Sequence, residues 1–462
     1  MISGMNRSNG VKTGSYGRCN AVSERCSVRA AALAAGVLVG AVGGCRDDRP
    51  RAPDHVTLVW FGDEAETREI HPLIASFERL NPGSRVDLIS FEAGCYAGRL
   101  VAMSRRGRMP DLARISTEHL PRFVEMDVLA DISRYVSAAE LDEFDAARLV
   151  SCCAGDRLHG LPHTSAAVIL YTNRDALRRI GVQPPPTPYD SWTPDEFADV
   201  ARRLQTEGGV PYGWAAVRGP LTLVPFIRMF GGRLLADDLR TPQLDTPPVQ
   251  EAVRWFVEQH LRGIAPSASR SIAGRPAEAL FARGRCGMLV GDSRLARFFE
   301  KRPVGFEWGA AYLPNATLAA TVTGENLVAF RTPHTEAAVK LLRHLTSSDS
   351  MRSYCAATQL LPTRRSLLRE NSDYPSHGDV PDAARRQAQL FGRESAAEQL
   401  SPAFAAAVQR LCIEADRAIR GGRSDIVTAR PPDALTLDQG VSSAIRAAPN
   451  GEDARARRRA AR

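Results

Sequence analysis

The side chains able to do recognition chemistry sit in a few short segments. Trp60 and Phe61 end an apolar run, and Asp63 and Glu64 follow at once. An indole can stack on the apolar face of a sugar ring, and carboxylates accept hydrogen bonds from its hydroxyls. The competing reading makes Trp60 a core residue and gives the two acids to the start of the next helix, where negative charge is favourable. Trp214, after Val210-Pro211-Tyr212-Gly213, is a second stacking platform or a second core indole. Asp292, Ser293 and Arg294 follow another strand-like run. The Arg294 fork suits bidentate contact with a carboxylate or phosphate, or else pairs with a neighbouring acid.

Gly291-Asp292-Ser293 also resembles the nucleophile block of GDSL-type esterases, and Gly324-Glu325-Asn326 resembles their G-x-N block. A serine nucleophile needs a histidine base and oxyanion donors. The block lies too late in the chain for such an enzyme. Asp373-Tyr374-Pro375-Ser376-His377 has one residue too many for the late D-x-x-H. No G-x-S-x-G, H-E-x-x-H or Walker A sequence occurs, and no Cys/His spacing suits zinc. No metal and no cofactor is expected.

The elements that position these groups follow from periodicity. Val56–Phe61 reads as a buried strand, and a helix from about Glu66 to Leu80 carries Ile70, Ile74, Phe77 and Leu80 on one face. Arg85–Phe91 alternates as a strand, Tyr96–Arg106 is helical, and a third strand starts at Leu112. This βαβαβ order argues for a mainly parallel α/β sheet. A second α/β stretch begins near Ala166. Thr193-Pro194-Asp195-Glu196 is a capping box with proline at the first helical position. Further helices are expected at Pro248–Leu261, Pro276–Arg283 and Thr335–Leu345, and strands at Cys286–Val290 and Leu327–Phe330.

The chain has 462 residues and a formal charge of +8, a length that suggests two or three domains. The charge is concentrated at the ends. Arg7, Lys12, Arg18, Arg25 and Arg29 face one acid, Glu24; Arg455, Arg457, Arg458, Arg459 and Arg462 face Glu452 and Asp453. The body between them is near neutral, so no nucleic-acid partner is expected. Arg25 and Arg29 precede the apolar run Ala30–Val42, which ends in Gly43-Gly44-Cys45. That is a secretory signal, and its h-region is too short to span a bilayer. Val42-Gly43-Gly44-Cys45 resembles the bacterial lipobox, which makes Cys45 the lipidated residue and the mature N-terminus. The chain is then expected outside the cytoplasm, tethered to the bacterial cell membrane. Residues 1–44 form the signal, 45–54 a tether, and 447–462 a disordered basic tail. Cys95, Cys152, Cys153, Cys286, Cys355 and Cys412 remain, as structural thiols or one or two bridges.

Several blocks in order resemble the family 1 extracellular solute-binding proteins, the sugar-binding group of the ABC importers. Phe77-Glu78-Arg79-Leu80-Asn81-Pro82-Gly83 is similar to that family's F-x-x-x-x-P-G block, and Gly107-Arg108-Met109-Pro110-Asp111 to its G-x-x-P-D turn. Leu158-His159-Gly160-Leu161-Pro162, Phe230-Gly231-Gly232, Phe281 to Met288, Trp308 to Pro314, Thr323 to Leu327 and Leu361 to Arg364 resemble later blocks. The resemblance implies a two-lobe periplasmic-binding-protein fold of type II, with lobe 1 from 55–163 and 324–376 and lobe 2 from 164–323 and 377–446. Crossings are implied near Leu161–Ala166, Thr321–Asn326 and His377.

The same resemblance implies a monomer that closes its cleft on a small carbohydrate or polyol-type solute and delivers it to the membrane subunits of an ABC permease. It places Ser116, Glu118, His163, Thr164, Glu325 and Asn326 at the cleft, beside Trp60, Asp63, Glu64, Trp214, Asp292 and Arg294. Where the family often has N-G-P-W, this chain has Gly291-Asp292-Ser293-Arg294. That departure opens an acidic sugar or polyol phosphate as ligand. Service to a membrane sensor instead of a permease fits the same residues.

Overall fold

β-Branched and aromatic residues in HVTLVWF build β1 (His55–Phe61), buried on both faces, as the first strand of an α/β unit must be. The computed structural model describes residues 55–217, 221–266, 277–302, 304–369 and 378–424. The expected signal, Cys45, the tether, the tail 447–462 and the crossing near His377 lie outside the described residues.

Helix α1 (Glu64–Leu80) follows β1, capped by Asp63, whose carboxylate accepts from the Glu66 backbone N–H at 2.8 Å. β2 (Arg85–Phe91), α2 (Tyr96–Arg105) and β3 (Leu112–Ser116) complete the first repeat, with β1 parallel to both β2 and β3. The remaining strands are β4 (Cys153–Ala154), β5 (Arg157–Leu158), β6 (Gly160–Asn173), β7 (Tyr212–Ala216), β8 (Cys286–Asp292), β9 (Trp308–Ala311), β10 (Val322–Ala329) and β11 (Leu361–Pro362).

The order β2-β1-β3-β10-β6-β8-β7 is not the mainly parallel sheet expected from the βαβαβ pattern. β10 runs antiparallel to both β3 and β6, and β6 is antiparallel to β8, β9 and β11. Parallel pairing is confined to the two ends, β2–β1–β3 and β7–β8. The reason is the 14-residue β6, which works as two strands in series. Its residues 160–167 pair with β10, and from Val168 onward its partners are β8 and β9. One continuous strand therefore serves two half-sheets, and β10 enters beside it from the other direction.

Between Pro162 and Thr164 the register slips. Glu325 pairs with Thr164, and Asn326 with Pro162, leaving His163 as the extra residue of a β-bulge. Gly160 lets the β10 backbone come close: a Cβ there would stand 2.1 Å from the Leu327 carbonyl oxygen.

The Thr193 capping box forms as expected and starts the helix Pro194–Thr206. The helices Val380–Gln389, Arg393–Gln399 and Pro402–Gly421 close the described chain. Glu398 ties them down by accepting from the Leu234 and Leu235 N–H groups and pairing with the buried Arg228. Cys95, Cys152, Cys153, Cys286 and Cys355 are free thiols, so the reading of them as structural thiols holds over that of bridges. Burial pushes the Cys153 thiol up to about 11.

Candidate functional site

The carboxyl end of β3 and the antiparallel β10 place Arg114, Ser116 and Glu325 on one face of the sheet, because Glu325 pairs with Ser116 and Leu327 with Arg114. On the other side of β10, Glu325 pairs with Thr164 of β6. The Thr164 hydroxyl donates to Glu325 Oε2 at 3.0 Å, and Arg114 Nη2 donates to the Thr164 oxygen at 3.3 Å. Arg114 is fully buried. Its Nη1 donates to the Phe61 carbonyl at 2.7 Å and to Glu66 at 2.6 Å, and its other edge faces Glu325 at 3.7 Å.

Burial alone would lower the Arg114 pKa, but Tyr354, Glu66 and Glu325 push it above the usual arginine value. The turn that admits this cluster needs Gly62. A Cβ at that position would lie 2.6 Å from Glu66 Oε2 and 3.1 Å from Arg114 Nη1.

The end of β8 approaches the same cluster from the other half-sheet. Asp292 is the last residue of β8; its Oδ1 accepts from the Arg294 backbone N–H at 3.0 Å and its Oδ2 from the Arg294 fork at 2.8 Å. Arg294 also reaches Glu325 Oε1 at 3.2 Å. Asp292 raises the Arg294 pKa most, and the Arg294 charge in turn holds Asp292 below the ordinary carboxylate value despite its burial. One helical turn on, Arg297 donates to the Thr358 carbonyl at 3.0 Å and meets Asp63 at 3.4 Å. Asp63 therefore caps α1 and faces Arg297 from the far side.

Ser116 is half-buried, and its backbone N–H donates to the Tyr96 hydroxyl, which is stacked against Phe61 and bonded to His119. Glu118 and Glu64 are exposed. Although 42 % of the Glu118 side chain is open to solvent, desolvation of the carboxyl raises its pKa; the Glu325 charge adds to this and Arg294 opposes it.

Asp63, Thr164, Asp292, Arg294 and Glu325 are thus brought to one place, with Ser116 and Glu118 on the same rim. Four expected contacts are overturned. Trp60 is fully buried, with Arg114 lying 4.9 Å over its ring and His163 and Tyr354 edge-on to it. Trp214 is fully buried among Phe197, Phe226, Trp255 and Phe256. Both are core indoles, because their strands are covered on both faces by helices.

His163 is the bulge residue, turned into the space between Trp60 and Tyr354, and among the described residues neither ring nitrogen has a hydrogen-bond partner. Burial, with Arg114 nearby, depresses its pKa well below 6.5. Asn326 faces away from Glu325, donating to Thr117 and the Ser151 carbonyl and accepting from the Ser151 hydroxyl, which ties the strand down. Nor does the structure support the esterase: the Ser293 hydroxyl is buried, and among the described residues it has no hydrogen-bond partner to act as its base.

Arg114, Glu66 and Arg297 were not among the sequence candidates. Arg114 had a signal: it interrupts the apolar strand LARIS at an inward position, and a charge there demands a partner. Among the described residues no group of histidine, cysteine and acidic side chains suits a metal ion, and no helix is long and apolar enough to cross a membrane. An open surface cleft of about 410 Å³, lined by Arg174, Arg178, Pro185, Glu307, Tyr312 and Asp379, holds none of the candidates.

Comparison with known proteins follows the same lines. The family described as bacterial extracellular solute-binding protein matches residues 62–352. An uncharacterized lipoprotein of Streptomyces antibioticus is 24% identical over 345 residues, covering 72% of this chain and 75% of its own. An ABC substrate-binding protein of Listeria monocytogenes, solved with cycloalternan, superposes with a TM-score of 0.67 at 18% identity, over 88% of this chain and 99% of that one. The maltose-bound MalE3 of T. maritima gives 0.63 at 19% identity, over 85% and 97%. These two share the two-lobe fold of the sugar-binding proteins, and the family is one of binding proteins and not of enzymes. The chain belongs to the bacterial extracellular solute-binding protein family.

Proposed function

We propose that the chain captures a small carbohydrate or polyol-type solute between two lobes, 55–163 with 324–376 and 164–323 with 377–446, which close on it about β6 and β10. The observation that carries this reading is the meeting of Asp292 and Arg294, from the end of β8, with Glu325 on the crossing strand. Solute hydroxyls placed there accept from the guanidinium and donate to the carboxylates, and contacts on both walls favour the closed form. The sugars named in the solved relatives, cycloalternan and maltose, fit that chemistry.

The Arg294 fork is already shared by Asp292 and Glu325, which favours a neutral hydroxylated solute over an acidic sugar or polyol phosphate. The exposed acids Asp63, Glu64 and Glu118 and the half-buried Ser116 complete the polar rim. A lipid on Cys45 would hold the protein at the membrane beside its permease, as the naming of the Streptomyces relative as a lipoprotein supports.

The test is a thermal-shift screen of mono- and oligosaccharides, polyols, uronic acids and glycerol phosphates on the chain from Arg51, which forms a compact unit of its own. A solute that binds the folded state raises Tm by mass action. A shift confined to neutral sugars or polyols, and abolished by Glu325→Ala, supports the proposal. A shift with anions alone redirects it to acidic ligands, and no shift with any member of the panel overturns it.

A further inference from the structure

Glu66, Arg114, Glu325, Arg294 and Asp292 form one chain of alternating charge. Its successive separations are 2.6, 3.7, 3.2 and 2.8 Å. The inner members Glu66, Arg114 and Glu325 are 8, 0 and 4% exposed, whereas Arg294 and Asp292 are 37 and 25% exposed. The chain therefore runs from the dry interior beneath α1, through the crossing strand β10, to the rim at the end of β8.

The two oxygens of Glu325 are divided along it. Oε2 takes the Thr164 hydroxyl and faces Arg114, and Oε1 is left for Arg294. Arg114 grips three further elements at once, through the Phe61 carbonyl at the end of β1, Glu66 on α1 and Thr164 on β6. Its planar fork is suited to hold several acceptors in fixed directions, which a lysine ammonium cannot do from the same place.

We propose that Arg114, which is sealed from solvent, is the positioning residue of the cleft: by fixing Glu325 between β1, α1 and β6 it sets the orientation in which Arg294 joins the two lobes. A solute touching Arg294 or Asp292 thereby acts on the crossing strands through two carboxylate oxygens and one buried guanidinium. This rests on the reading of the protein as one that closes about β6 and β10.

The experiment measures an interlobe distance in solute-free protein from Arg51. Spin labels go on Arg68→Cys in α1 and Arg202→Cys in the helix Pro194–Thr206, both exposed, with Cys95, Cys153 and Cys412 replaced by serine. Arg114→Lys keeps the charge and loses the fork, so the distance distribution should broaden and shift to longer values. Arg294→Lys should shift it the same way, and the double variant should go little further. Trp214→Phe, a core change in one lobe, should lower Tm and leave the distribution alone.

A lower Tm for Arg114→Lys with an unchanged distribution makes Arg114 a fold-stabilising residue only and overturns the inference. If Arg114→Lys does not fold, Arg294→Lys decides: an unchanged distribution there overturns the inference as well. Wild-type closure on a sugar or polyol from the screen, with neither variant altering the solute-free distribution, sinks the inference and leaves the proposed function standing. A wild-type distribution that none of those solutes moves removes hinge closure itself.

Discussion

Arg294 and Glu325 meet at 3.2 Å although one follows β8 and the other lies on β10, and each is held by a second partner, Asp292 for the arginine and Thr164 for the glutamate. The pair stands where the two half-sheets share their crossing strands.

Removing the arginine leaves a carboxylate that is 4% exposed without its strongest outer partner. Arg294→Ala is expected to weaken solute binding at least tenfold by titration calorimetry. It should cost the empty protein about 1–2 kcal/mol, less than a fully buried pair because the guanidinium is partly solvated. Unchanged affinity would place the solute elsewhere.

Gly62 and Gly98 should answer alanine with opposite signs. At Gly62 the new methyl meets Glu66 at 2.6 Å, so Gly62→Ala should destabilise by about 1–3 kcal/mol. Within α2 a Cβ at Gly98 has nothing within 4 Å, and Gly98→Ala should stabilise by about 0.4–1 kcal/mol. Denaturant melts of the two variants check this, and a Gly62→Ala protein as stable as wild type would contradict the packing of the turn.

His163 predicts an acid-sensitive fold. Its folded pKa lies below the ordinary 6.5, so the unfolded chain takes up a proton first as pH falls. Stability should therefore be unaffected by this group above about pH 7 and decline below 6.5, by up to about 1.4 kcal/mol per pH unit, until the folded pKa is reached. His159 and His344 are lowered by burial too and add to the slope. His163→Leu removes one proton's share without leaving an unpaired group, and a melt series from pH 7 to 5 should show a shallower decline. An identical slope would mean that His163 is not buried neutral.

The core indoles should affect stability and not affinity. Trp60→Phe and Trp214→Phe open space in packed aromatic clusters and should each cost about 1–3 kcal/mol, with solute affinity within about twofold of wild type. A tenfold loss of affinity at constant stability for either variant would return it to the cleft wall.

Cys45→Ala should abolish metabolic labelling with a radioactive fatty acid and release the chain from the membrane fraction. Fatty-acid label that persists in the variant would rule out Cys45 as the lipidated residue.

What the sequence determined by itself was local. Apolar periodicity located β1, β2, α1 and the Thr193 capping box, because side-chain alternation and capping hydrogen bonds are satisfied within a few residues. The ordered blocks carried the family. The tertiary structure decided which polar residues face the rim and which are spent inside. Trp60 and Trp214 read equally well as platform or core, and helices from distant segments settled the matter by covering both sheet faces. Asn326 and Glu325 are neighbours in sequence, yet strand alternation sends one to Ser151 and the other to Arg294.

The bulge at His163 depends on β10 arriving antiparallel some 160 residues later in the chain, so no local pattern announces it. Arg114 acquires its role in the same way: its acceptors lie on β1, α1, β6 and β10, and only folding brings them within reach of one guanidinium.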